Sequence, residues 1–197
     1  QTSIPMFRNT AVLQIALSFP MLGFTYLVNT DIAFSIWFFS LLMRAQEGTF
    51  GVLGLSSSEK LWYAPPEPII AHQGMGAFIV MVLFGLWTAR DHLGDVWRKA
   101  VHGDPAVDDS GEIMSYRAAV LCLVSGYLAL VVWLTVSGLD LWAAVVYLTM
   151  ALLIFVGLTR VVAESGVAAV VSPLIAASTL VSGAGSVVLG SSGLVGL

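Results

Sequence analysis

Asp31 follows Asn29 and Thr30 in the middle of a run that is otherwise apolar from Ala11 to Met43. A carboxylate is expensive to hold at such a position, so it marks a candidate proton or cation site of the kind that forms where a membrane helix is interrupted. The same triplet has the composition of a helix N-cap, whose side-chain oxygens accept the free N–H groups of the next helix. Capping by itself outweighs the site reading, and the two are compatible because a broken helix is where a site forms. Arg160 and Glu164 are a second candidate pair, four residues apart and therefore on one helical face. Inside a cavity they would pair with each other or with a solute. At a helix end such a pair is worth only ~0.3–0.5 kcal/mol, and the spacing alone favours that plainer role. Asn29, Asp31, Arg160 and Glu164 are thus the residues expected to line any substrate or ion pathway.

Other chemistry is hard to assemble from this chain. Its three histidines are His72, His92 and His102. His72 and His92 stand at opposite ends of one apolar stretch and cannot meet at one metal or haem. There is no phosphate-cradling glycine loop, dinucleotide fingerprint, nucleophile elbow or zinc-protease motif. No catalytic residue, metal ligand or cofactor is therefore expected, and the single cysteine, Cys122, has no partner for an internal disulfide. Ser178, Ser182, Ser186 and Gly190 repeat every four positions, a small-residue stripe that lets helices approach closely. Static packing explains that stripe better than a sliding helix does, and the aromatic run Ile36–Phe39 reads as lipid contact.

The elements that must carry these residues follow from composition. Of 197 residues, 58% are hydrophobic and only 10% charged, with a mean hydropathy of +0.92. A soluble domain carries about 25% charged residues, so a soluble enzyme, a nucleic-acid-binding module and a disordered chain are all excluded in favour of a polytopic membrane protein. The net charge of −4 offers no basic stripe for phosphates. The expected fold is all-α, a transmembrane helical bundle of five to six hydrophobic segments over 11–28, 31–46, 69–89, 116–137, 141–159 and 167–190. These would form part of one transmembrane domain. Residues 11–43 are too long for a single crossing of a ~30 Å hydrocarbon core. The polar triplet therefore divides them into a broken or re-entrant pair. Loops are expected over 47–68, where Pro65, Pro66 and Pro68 exclude helix, and over 90–115.

Four of the eight Lys and Arg residues, Arg90, Arg98, Lys99 and Arg117, fall at 90–117. The positive-inside rule then places loop 90–115 in the cytoplasm, with the chain integral to the membrane. The chain is also expected to be a piece of a longer protein, truncated at both ends, whose partners are the lipid bilayer, the remaining helices and a small-molecule solute.

Specific strings add to this reading. The run Asn29–Phe39, the strings Gln73–Phe78 and Leu86–Leu93, and the blocks Glu112–Ala119 and Leu158–Gly166 resemble, in the same order, a bacterial family of oligopeptide-transporter-like membrane proteins of unassigned function. The resemblance covers about 29–166. The wider superfamily is similar to cation-coupled importers of short peptides or metal chelates. The expectation it adds is a secondary, ion-coupled transporter rather than an enzyme. The alternatives are a membrane-embedded enzyme or an anchor or scaffold subunit of a membrane complex, which would need a polar cluster or an obligate partner.

Overall fold

The computed structural model describes residues 18–55, 57, 59, 61, 68–167, 170–185 and 188–189. Within them the chain forms seven helices: α1 (Phe19–Leu27), α2 (Thr30–Leu53), α3 (Pro68–Thr88), α4 (Arg90–His102), α5 (Tyr116–Val136), α6 (Leu141–Ser165) and α7 (Ala176–Ala184). No strand occurs among the described residues. Three helices, α3, α5 and α6, are long and apolar enough to cross a membrane. With 21, 21 and 25 residues they reach about 32–38 Å at 1.5 Å per residue, against a ~30 Å hydrocarbon core. Their outward side chains are large and apolar: Phe84 is 68% exposed on α3 and Val136 83% on α5. Such rows suit a hydrocarbon surrounding rather than water.

Helix formation is local and legible. The Asn29 side chain accepts the Asp31 N–H at 3.0 Å, capping α2. Gly54, at φ 70°, closes the same helix in the left-handed conformation that glycine adopts without penalty. Hydroxyls inside the helices return to their own backbone. Ser35, Ser40 and Thr49 in α2, Thr88 in α3, Thr149 and Thr159 in α6 each donate to the carbonyl four residues back, at 2.6–3.0 Å. A hydroxyl left unpaired in hydrocarbon would cost several kcal/mol, about 4–8 by water-to-cyclohexane transfer.

Several expected boundaries are corrected. The segment expected at 31–46 continues to Leu53, so the first residues of the anticipated 47–68 loop are helical. The 90–115 segment is not all loop: it opens with α4, which has Asp91 in its first turn, Lys99 and His102 in its last, and Gly103 as a left-handed C-cap. Helix α6 runs past 159 to Ser165 and carries Arg160 and Glu164 within it. Within the expected 167–190 segment the described residues form the nine-residue α7. Helix α1 also has nine residues, and 11–17, 168, 169, 186, 187 and 190 lie outside the described residues. Among the described residues, three helices meet the length and hydropathy of a crossing, against the five to six segments expected.

The chain divides into two compact units, with cuts inside α3 and α6. In the unit formed by 80–153 and 176–197, Leu134, Leu139, Ala143, Ala144, Leu180 and Leu189 make the core, with Tyr147, Leu148, Val181 and Ala184 against it. The α5–α6 hairpin turns through Gly138 at φ 103° and is cross-braced by the Tyr127 hydroxyl, 3.1 Å from the Val145 carbonyl and 3.0 Å from Thr149 Oγ1. In the unit formed by 1–79 and 154–175, the backbone of α3 meets the 170–175 segment at Gly74. A Cβ placed there would lie 3.3 Å from Pro173 Cβ, a tight contact that glycine avoids.

Candidate functional site

Because α2 runs on to Leu53, Glu47 sits inside a helix instead of opening a loop. It is the only buried charged or polar side chain among the described residues, 2% exposed at its side chain. Arg44, one turn earlier on the same helix, places Nη1 3.3 Å from Glu47 Oε2. The other oxygen, Oε1, is buried and has no hydrogen-bond partner among the described residues. An ionised carboxylate only accepts, and a buried acceptor left unpaired costs ~1–3 kcal/mol, more when charged. Arg44 itself is 28% exposed at its side chain, so one end of the pair reaches the surface and the other does not.

Neighbouring polar groups tie the elements of this unit together. Gln46 donates from Nε2 to Gln73 Oε1 at 2.6 Å, linking α2 to α3. One residue back on α3, His72 Nε2 lies 3.1 Å from Glu59 Oε2. Both side chains of that pair are more than a third exposed, so its contribution to stability is small. The buried faces of Ile70, Ala71 and Met75 hold this part of α3 in place. What the arrangement offers chemically is one dry carboxylate oxygen, half-neutralised by an arginine, that a proton, a cation or a solute N–H could satisfy.

The residues expected from sequence are placed as follows. Asn29 caps α2 and Asp31 is exposed in its first turn. Sixteen residues of helix separate Asp31 from Glu47, about 24 Å, so the two acids do not meet. Arg160 Nε donates to Glu164 Oε1 at 2.7 Å along the surface of α6, with side chains 39% and 65% exposed. Neither pair is bonded to the other. Ser178 and Ser182 lie half-buried on α7, while Ser186 and Gly190 fall outside the described residues. No group of three His, Cys, Asp or Glu residues placed to hold a metal occurs among the described residues.

Glu47 was hidden in the sequence because Glu47-Gly48 reads as the start of a polar stretch. The signal that finds it is a glycine. Phe50, Val52 and Leu53 continue the apolar pattern up to Gly54, which ends the helix seven residues later than composition suggests.

Among the described residues the chain is helical, with three helices long and apolar enough to cross a membrane and one buried, partly paired carboxylate. The sequence model of a family described as "Family of unknown function (DUF6785)" matches residues 3–197, and the chain belongs to that family. Neither the curated proteins nor the solved structures contain a match.

Proposed function

We propose that this chain is part of an ion-coupled secondary transporter in the bacterial cytoplasmic membrane, with Glu47 as the group that takes up and releases the coupling proton. The observation that carries the proposal is the buried Glu47 carboxylate with Oε1 unpartnered beside Arg44. Ionisable side chains at membrane depth are costly and mark ion pathways, and an orphaned acceptor is where a proton adds without displacing an existing bond. Arg44 offsets the charge of the deprotonated state. Short peptides or metal chelates are the solute class, on the oligopeptide-transporter-like resemblance of the strings at 29–166. The segment 11–28 and α2 add crossings to the three apolar helices, giving a bundle of five, with 167–190 the sixth segment where it also enters the membrane, and 90–115 faces the cytoplasm. No chemical conversion of the solute is involved.

The test is uptake by proteoliposomes holding the protein, offered a mixture of short peptides and metal chelates under an inward proton gradient. Gradient-driven accumulation is expected, with Glu47→Gln abolishing accumulation while sparing solute exchange, and Glu47→Asp restoring part of it. Asp31→Asn, Arg160→Gln and Glu164→Gln are the companion variants. Folded, correctly oriented protein that accumulates none of these solutes would overturn the transporter reading. Undiminished accumulation by Glu47→Gln would remove Glu47 from it.

A further inference from the structure

Helix α4 carries Leu93, Trp97 and Val101 at successive four-residue intervals, one row on the helix, and all three are exposed. Ala100, about 20° from Leu93 around the helix, is buried, and on the opposite flank of the row Asp91 and Arg98 stand out with side chains 88% and 61% exposed. Two features fix the level at which this row lies. Only Ala89 separates α4 from the end of α3, so α4 starts where that apolar helix stops. Helix α4 also packs against α5, and two of its turns are held at the first residue of α5. The His92 ring meets the Tyr116 ring edge-on at 6.0 Å. Lys99 Nζ lies 3.8 Å from Asp109, whose other oxygen accepts the Tyr116 N–H at 3.2 Å. Residues 92 and 99 are about 10 Å apart along the helix axis, yet both are tied to the point where α5 begins. Both ties hold α4 beside the start of α5.

We infer that α4 is an in-plane amphipathic helix whose Leu93–Trp97–Val101 row is seated in the headgroup–acyl boundary of the same bilayer that α3 and α5 cross. The occupant of this face is lipid, because the row begins at Leu93, six residues after Trp87, where the apolar exposed surface of α3 ends. Tryptophans such as Trp87 and Trp97 favour that layer, and the apolar face of such a helix sits about 5–10 Å into it. Arg90, 5.3 Å from the centroid of the Trp87 ring, marks the polar side of the boundary. The inference rests on the membrane reading of α3 and α5 and is independent of transport.

Spin labels on single cysteines test it in the reconstituted protein, in a Cys122→Ala background. Leu93→Cys and Val101→Cys report the row, Asp91→Cys and Arg98→Cys the polar face, and Leu128→Cys, exposed in the middle of α5, the span itself. Labels at 93 and 101 are expected to be severalfold less accessible to a water-soluble nickel chelate, and severalfold more to oxygen, than labels at 91 and 98. High chelate access at 93 and 101 with a lipid-exposed label at 128 overturns the inference and leaves the membrane reading standing. Labels at 93 and 101 shielded from both relaxants would mean a protein covers the row, which also overturns it. Chelate access at 128 overturns the membrane reading and the inference with it.

Discussion

Removing Arg44 should be far more damaging than neutralising Glu47, although the two form one ion pair. At 3.3 Å and an effective dielectric of about 20, their gross attraction is ~5 kcal/mol. The desolvation of the buried partner consumes most of it, several kcal/mol per ion. The asymmetry comes from exposure. With Arg44→Met, the Glu47 carboxylate stays 2% exposed with neither oxygen paired to a cation, an uncompensated buried charge that costs ~3–5 kcal/mol. With Glu47→Gln the buried group becomes neutral and Arg44, 28% exposed, still reaches water, so the loss is ~0–2 kcal/mol. The double variant Arg44→Met/Glu47→Gln should recover most of what Arg44→Met loses, giving a coupling of at least ~2 kcal/mol. Equilibrium unfolding of all four proteins in the same mixed micelles measures the cycle. If Glu47→Gln is as destabilising as Arg44→Met, or the double variant recovers nothing, Glu47 is not held as a dry charge and the site as described is wrong.

Three further outcomes are expected. Gly76→Ala, where a Cβ meets nothing within 4 Å, should gain most of the ~0.8–1 kcal/mol of helix propensity, whereas Gly74→Ala, 3.3 Å from Pro173 Cβ, should lose that gain to crowding of ~1–3 kcal/mol. Equal Tm values for the two would refute the close approach. Asn29→Ala should cost ~1 kcal/mol through the lost α2 cap, more than Asp31→Ala at ~0.3–1 kcal/mol, measurable by the same unfolding assay. The Ser110 N–H donates to Asp108 at 3.0 Å and holds that carboxyl below the usual carboxylate range. The turn is therefore fully supported above about pH 3.9, the unfolded value, and loses this support as pH falls through the lower folded value. The protection of the Ser110 amide, taken relative to its intrinsic exchange rate at each pH, should stay flat from neutral pH down to that point and fall only below it.

Composition and hydropathy were enough to expect helices long and apolar enough to cross a membrane, which the described residues show, because the cost of leaving backbone groups unpaired in hydrocarbon permits little else. They also located the break at Asn29, whose cap is a matter of one side chain and one backbone N–H, and the α5–α6 hairpin, whose turn at 137–140 is too short to allow anything but an antiparallel return. Local chemistry of this kind is written in adjacent residues. Where helices end was less legible: α2 and α6 outrun their apolar stretches because Arg44–Glu47 and Arg160–Glu164 each complete an ion pair along the helix, so charged residues that look like loop are accommodated inside it. The amphipathic α4 was overlooked for a related reason, since its charges dominate composition while its apolar row emerges only from the four-residue spacing.

Burial is what the sequence could not decide. Arg44–Glu47 and Arg160–Glu164 look alike as strings, opposite charges three and four apart on a helix. In the folded chain one carboxylate is dry with an orphaned oxygen and the other stands 65% exposed beside its arginine. The difference lies in what the rest of the chain packs against each helix face, a long-range property that no local spacing encodes and that sets how much water each charge keeps.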